Sequence, residues 1–357
     1  MTDRVLVVNA GSSTLKLRIL GAGDTVEASC DVDPWHGDAD PSILDPLGDA
    51  LGTVDAIGYR VVHGGGVLRE PTLVDDATLA AIEALTPLAP LHQPRAVAAI
   101  RAVRAAMPHV PSVACFDTAF HATLPAAAAT YALPAEWRQR WDLRRFGFHG
   151  LSHQYASRRA AELVGRPLDG LRTVSCHLGA GASLCAVSAG RSVDTTMGFT
   201  PLEGLVMNTR SGTVDPGLVL WLQTQGGMTA AEVADGLERK SGLAGLSGTS
   251  GDLREIPAGS LAVDVYVHRL RREIVGMVAA LGGIDVLVFT GGVGEHQPAI
   301  RAAAATGLAF LGIALDVEAN AASTGDGEIS SDGAAVRTVV VTSREDVEIA
   351  RQVRRSV

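Results

Sequence analysis

One device occurs twice in this chain: a short apolar strand runs into a turn of small residues and resumes as a second strand. The first copy is the apolar run Val5-Leu6-Val7-Val8, the turn Asn9-Ala10-Gly11-Ser12-Ser13, and a stretch in which Leu15, Leu17 and Ile19 fall on every second position. The second is Thr173-Val174-Ser175-Cys176-His177-Leu178, the turn Gly179-Ala180-Gly181, and Ser183-Leu184-Cys185-Ala186-Val187. At 357 residues the chain exceeds what one core usually supports, so the repeated hairpin predicts two domains, each with its own interior. Two lobes imply a cleft.

A third unit, Val286-Leu287-Val288-Phe289-Thr290, runs into Gly291-Gly292-Val293-Gly294-Glu295 and then an alanine-rich segment led by Pro298, the order strand, glycine turn, helix. Helix-period patterning at residues 77–85, 93–107, 154–164 and 261–281 alternates with the strands, which makes the class α/β. Ser112-Val113-Ala114-Cys115-Phe116 reads as a strand ending on Asp117, and residues 37–49 as a surface loop.

A composition of 47% hydrophobic and 19% charged residues with 40 glycines belongs to a packed protein with many tight turns. The net charge of -9 argues against a nucleic-acid partner, so any anion must meet a local basic pocket. Cys30, Cys115, Cys176 and Cys185 lack zinc spacing and read as reduced core residues. No signal-peptide pattern and no bilayer-length apolar span is evident, so the expected location is the cytoplasm, without a membrane partner.

In Asn9-Ala10-Gly11-Ser12-Ser13-Thr14-Leu15-Lys16, small residues let backbone N–H groups approach a phosphate, and the hydroxyls and Lys16 add donors. The order is not that of the P-loop, and a serine-rich β-turn is the plainer alternative. Gly179 and Gly181 repeat the arrangement, so two hairpins could hold a nucleotide from both sides. Gly291-Gly292-Val293-Gly294 lacks the dinucleotide spacing but suits a close backbone approach to a nucleoside; a plain strand-to-helix turn is the alternative.

Paired phosphate hairpins with a third glycine turn resemble the actin, sugar kinase and Hsp70 superfamily, and within it the chain is most similar to the acetate kinase (acetokinase) family. Five stretches carry this: residues 8–16 quoted above, Tyr59-Arg60-Val61-Val62-His63-Gly64-Gly65, Phe116-Asp117-Thr118-Ala119-Phe120-His121, Arg145-Phe146-Gly147-Phe148-His149-Gly150-Leu151-Ser152-His153, and Met197-Gly198-Phe199-Thr200-Pro201-Leu202-Glu203-Gly204. The resemblance implies a two-lobed actin-like ATPase fold of duplicated ribonuclease H-like domains. The N-terminal lobe would span residues 1–121, completed by 346–357, and the nucleotide-binding lobe 122–345.

It also implies an enzyme that transfers the ATP γ-phosphoryl group to acetate, giving acetyl phosphate and ADP. Both the carboxylate nucleophile and the phosphate are anionic, so forked guanidinium groups and a metal must neutralise them. By resemblance His149 and Arg210 stabilise the transition state, Arg60 holds carboxylate or phosphoryl oxygens, and Asp117 is the catalytic aspartate. Asn9 and Glu345 would be metal-linked, for Mg2+ or alternatively Mn2+; on sequence alone Glu345 would pass as a helix start. Val62, Leu91, Phe148 and Pro201 would surround the methyl group. The nucleotide would lie on His177, Leu178, Gly179, Ala180 and Gly181, on Asp252, Leu253 and Arg254, and on Gly292, Val293, Gly294, Glu295 and His296, with Ser12 and Lys16 adding donors. A homodimer is the implied assembly, and His92, His121, His153 and His177 read as mainly structural.

The departures from the family pattern lie mostly in the nucleotide half. Ala180, Gly251, His296 and Arg344 stand where asparagine is usual, and Asn208 where glycine is usual. The open alternatives are therefore a propionate or butyrate kinase, another phosphoryl donor such as GTP or pyrophosphate, and a nucleotide-binding regulatory protein.

Overall fold

The computed structural model describes residues 3–11 and 14–357, so Ser12 lies outside the described residues. The chain divides into two compact units. The first comprises residues up to Ala122, Phe148–Tyr155 and Arg344–Val357; the second comprises Thr123–Gly147 and Ala156–Ser343. This grouping differs from the expected boundaries in taking Ala122, Phe148–Tyr155 and residues 344 and 345 into the first unit.

Each unit holds a six-stranded mixed sheet. In the first unit the strands are β1 (Val5–Ala10), β2 (Leu15–Leu20), β3 (Val26–Val32), β4 (Ala56–Val61), β5 (Thr72–Leu73) and β6 (Ser112–Phe116). Their order is β3-β2-β1-β4-β6-β5: β1, β2 and β3 form an antiparallel meander, and β4 and β6 run parallel to β1. In the second unit they are β7 (Arg172–Leu178), β8 (Ala182–Ser188), β9 (Arg191–Thr195), β10 (Val286–Thr290), β11 (Gly327–Glu328) and β12 (Arg337–Val340). The order β9-β8-β7-β10-β12-β11 repeats the same scheme, with β7, β8 and β9 antiparallel and β10 and β12 parallel to β7. The hairpin seen twice in the sequence thus opens two copies of one sheet topology.

Coverage of both sheet faces explains why β1 is apolar at every position before Asn9. Leu6, Val8, Ile57 and Tyr59 join Ala96, Val97, Ile100 and Val103 of the helix Gln93–Ala106 in one core. The alternate residues meet the helix Glu345–Ser356; a Cβ on Gly58 would run into Ile349 and Val353, so only glycine lets that helix sit so close. In the second unit the helix Leu261–Leu281 packs on β7, β8 and β9.

Three sequence expectations change. The glycine turn after β10 is itself a helix, Gly291–His296. Residues 37–49 are not all loop: a 3-10 stretch covers Pro41–Thr53, started by the Asp40 carboxylate on the Ser42 N–H and anchored by buried Leu44 and Leu47. The helix expected at 154–164 begins a turn earlier, as Gly150–Leu163. The four cysteines are free; Cys115, Cys176 and Cys185 are buried, and burial raises their thiol pKa values, whereas Cys30 is only half-buried. Among the described residues no helix is long and apolar enough to cross a membrane.

His63, which follows β4 closely, is wholly buried, and burial lowers its pKa to about 4. Its Nδ1 accepts the Gly65 N–H at 2.8 Å, a bond only the neutral ring can make. Between about pH 6.5 and 4 the unfolded chain binds the proton and the native state does not, so stability falls as pH drops through that window. A depression of this size is worth about 3 kcal/mol. His63→Asn keeps an acceptor for Gly65 but cannot titrate. Urea unfolding should show the parent losing about 3 kcal/mol relative to the variant as pH falls from about 6.5 to 4; a difference that does not change with pH would exclude His63 as the source.

Candidate active site

In the first unit, sheet register alone gathers a polar cluster. The last β1 pairing with β4 sets Asn9 against Arg60, and β6 pairs Cys115 with Arg60 and ends one residue before Asp117. Asn9, Arg60 and Asp117 therefore share one face at the carboxyl ends of three parallel strands, where α/β sheets bind ligands. The helix covering that face starts at Glu345.

Arg60 is the hub. Its Nη2 donates to Asp117 Oδ2 at 2.7 Å, its Nε to both Asp117 oxygens at 3.2 Å, and its Nη1 to Asn9 Oδ1 at 3.2 Å. Asn9 Nδ2 donates to Glu345 Oε2 at 3.1 Å, and that oxygen lies 3.7 Å from Arg60 Nε. Burial disfavours the Arg60 cation, but the Asp117 and Glu345 carboxylates outweigh it and hold the pKa above the usual arginine range. Asp117 is 1% exposed; burial, with the Glu345 charge, pushes its carboxyl up to about 6 against the pull of Arg60, so it is still mostly ionised at neutral pH.

Two carboxylates and an amide oxygen around one guanidinium are hard donors of the kind magnesium takes. Among the described residues no group of three or more His, Cys, Asp or Glu side chains could cage a metal. An ion here would complete its shell from water and phosphate, as magnesium usually does.

His149 reaches the same unit through a tightly held loop. Gly147 and His149 both take left-handed backbone, at φ 74° and 56°; for a residue with a side chain this is strained and persists only where the surroundings enforce it. The enforcement is visible. The Gly150 N–H donates to the Asp117 carbonyl at 2.9 Å, His121 Nε2 donates to the Phe148 carbonyl at 3.0 Å, and the His153 N–H donates to the His149 carbonyl at 2.9 Å. A Cβ on Gly150 would overlap the Asp117 carbonyl oxygen. Hence His121 and His153, read as structural, fix the loop that carries His149.

Of the residues expected around a methyl group, Val62 and Phe148 are buried, with the Phe148 ring edge-on to His63, while Leu91 is 42% exposed. Pro201 belongs to the second unit. Lys16 is exposed on β2, opposite Asn9.

In the second unit Arg210 is a half-buried cation that bonds no carboxylate among the described residues. Its Nη1 donates to the Pro201 carbonyl at 3.2 Å and lies 3.9 Å from Met207 Sδ. Burial lowers its pKa, with Glu238 opposing. The loop bearing Pro201 is pinned by Tyr131, Arg145 and Glu203. Tyr131 Oη donates to Glu203 at 2.6 Å and accepts from the Phe199 N–H at 2.8 Å, and Arg145 donates to Glu203 at 2.6 Å and to the Thr196 and Met197 carbonyls.

Eight of the residues expected to bind nucleotide line one cavity of about 330 Å³: Gly179, Ala180, Asp252, Leu253, Arg254, Gly292, Val293 and His296. The structure adds Asn208 and Gln297. Parallel register again explains the gathering, because β7 pairs His177 with Thr290 of β10 and the glycines after both strands become neighbours. Gly291, at φ 77°, is so close to Leu178 that a Cβ would press on its backbone. Arg254 bonds bidentately to Asp252 and holds that carboxyl down, to about 2. His177, Leu178, Gly181, Gly294 and Glu295 support the walls instead: Gly181 accepts the Gly179 N–H, Gly294 and Glu295 carbonyls accept from Arg301, and the Glu295 carboxylate accepts the Ser343 N–H. Arg301 is fully buried, and its remaining donors go to Asn320.

The Acetokinase family's sequence model matches residues 43–351. An acetate kinase of Synechococcus sp. is 43% identical over 97% of this chain and 97% of its own length, and one of Leifsonia xyli subsp. xyli is 46% identical over 98% and 97%. Among solved structures, Porphyromonas gingivalis acetate kinase superposes with a TM-score of 0.90 at 35% identity, covering 99% of both chains. A propionate kinase from Francisella tularensis subsp. tularensis also reaches 0.90, at 32% identity over 99% of this chain and 100% of its own.

Proposed function

The chain belongs to the acetokinase family, and from that premise we propose that it catalyses reversible transfer of the ATP γ-phosphoryl group to acetate, giving acetyl phosphate and ADP by direct in-line displacement. The observation that carries this reading is the Asn9, Arg60, Asp117 and Glu345 cluster, a polar constellation at strand carboxyl ends that nucleotide binding alone would not require.

Phosphoryl transfer puts charge on equatorial oxygens and asks little covalent chemistry of the protein, so positioning and charge neutralisation do the work. Arg60 binds a carboxylate or phosphoryl oxygen; its Nε and Nη2 are spoken for by Asp117, which fixes the plane of the guanidinium. Arg210, with no carboxylate bonded to it, has unspent charge for an anionic ligand and stabilises the transferring group. His149 donates a hydrogen bond to the same group. Asp117, Glu345 and Asn9 would hold Mg2+, which when bound neutralises phosphate charge. The Gly179-Ala180-Gly181 turn and the Gly291–His296 helix receive the nucleotide; buried Val62 and Phe148 receive the methyl group.

A homodimer fits the helix Pro216–Thr224, an apolar helix with no buried residue, on which Leu218, Leu220 and Trp221 are 48%, 61% and 55% exposed. Light scattering should give twice the chain mass. A cytosolic setting fits four free cysteines.

Hydroxamate trapping of acetyl phosphate, with acetate, magnesium and ATP, GTP or pyrophosphate in parallel, tests the activity and its donor. Product with ATP is expected; no product with any donor from folded protein would overturn it. The similarity to a propionate kinase supports a second acid. One methylene is worth about 1–3 kcal/mol in an apolar pocket, so propionate should compete measurably with acetate at equal concentration.

A further inference from the structure

We propose that Asn208 supplies the side-chain donor to the nucleotide phosphates at the hairpin end of the cavity, a role that rests on reading this cavity as the nucleotide site. The backbone of Asn208 is locked beside the Gly179-Ala180-Gly181 turn: its N–H donates to the Ala180 carbonyl at 3.3 Å, and its carbonyl accepts the Ala244 N–H at 2.8 Å. Gly251, at φ 85°, lies so close to that carbonyl that no Cβ would fit, which clamps the residue from the other side.

The Asn208 side chain is half-buried, lines the cavity, and makes no hydrogen bond among the described residues. Of the other side chains at that end, Ala180 offers only a methyl group and Arg254 is paired with Asp252. The Gly179 N–H is turned to the Gly181 carbonyl at 3.1 Å. Gln297, the cavity's other uncommitted amide, follows the Gly291–His296 helix rather than the hairpin. An amide held by a fixed backbone, next to a turn whose small residues admit phosphate, is a preorganised neutral donor.

Titration calorimetry of the whole chain with ADP and with adenosine, magnesium present, tests this in Asn208→Ala and Asn208→Asp. The first removes the donor; the second keeps the shape but sets a carboxylate against the phosphates. A hydrogen bond to a charged group is worth about tenfold or more in affinity, so ADP should weaken about tenfold in the alanine variant and further in the aspartate variant. Adenosine should change less than about twofold in either, since it has no phosphate to lose, and unliganded melting should stay at the parent value. Unchanged ADP binding in both variants, or equal weakening of adenosine, overturns the proposal. A parent chain that binds neither ligand while folded overturns the nucleotide reading of the cavity itself.

Discussion

Arg210→Ala should lower turnover by about 10³ or more while leaving the melting temperature close to that of the parent. The two halves of this result have separate causes. Activity falls because charge building on the phosphoryl oxygens loses a forked cation, and such arginines are worth that much in phosphoryl transfer. Stability holds because, among the described residues, the side chain bonds only a carbonyl oxygen and touches a thioether, so its removal strands no bonded carboxylate. Burial disfavours the charged form of Arg210, so in the resting protein the cation is not a net stabiliser. Single-turnover hydroxamate assays and thermal unfolding of the same preparation read both quantities. Near-parent turnover would remove Arg210 from the chemistry, and a large drop in melting temperature would make it a structural residue.

Asn9, Arg60, Asp117 and Glu345 were singled out by family resemblance, and strand register explains why the first three meet. Once the runs ending at Asn9, Arg60 and Asp117 are read as parallel neighbours, period-two alternation puts the three on one face, and the same logic brings the glycines after β7 and β10 together. What was not legible depends on contacts distant in sequence. Three glycines within Gly291–His296 argue against a helix by propensity. The helix forms nonetheless, with its terminal carbonyls held by Arg301, whose guanidinium is in turn held by Asn320. The left-handed backbone of His149 could not be read from a Phe-His-Gly tripeptide either, since it is enforced by the Asp117 carbonyl on Gly150 and by His121 on Phe148. Likewise no sequence pattern links Tyr131 to Glu203 and Arg145, although together the three hold the loop that presents a carbonyl to Arg210. Sequence pattern reports which face a residue occupies; strain and tertiary clamps require knowing what faces it.

Asp117→Asn should behave differently from Arg210→Ala, losing stability as well as turnover. The substitution is isosteric, yet it puts an N–H2 against a guanidinium that now receives three bonds' worth of carboxylate, and it leaves Arg60 with Glu345, 3.7 Å away, as the nearest remaining anion. Breaking a buried pair by removing one partner costs about 3–5 kcal/mol, because the surviving charge stays desolvated. Turnover should fall by about 10³ too, since Arg60 loses the groups that fix its plane and the proposed metal site loses an oxygen donor. The decisive variant is the double substitution, Asp117→Asn with Arg60→Met. Replacing both charges removes the penalty of the stranded guanidinium, though it also takes the cation from beside Glu345, so urea unfolding should recover part of the lost stability. Turnover should stay at the level of the single variant, because an apolar side chain binds neither carboxylate nor phosphoryl oxygen. If the double variant were as unstable as the single one, the Arg60 charge would not be what destabilises it. If it regained activity, the pair would be scaffolding and the chemistry would lie elsewhere. Recovery of stability without recovery of turnover is the outcome that assigns Arg60 and Asp117 to the reaction rather than to the fold.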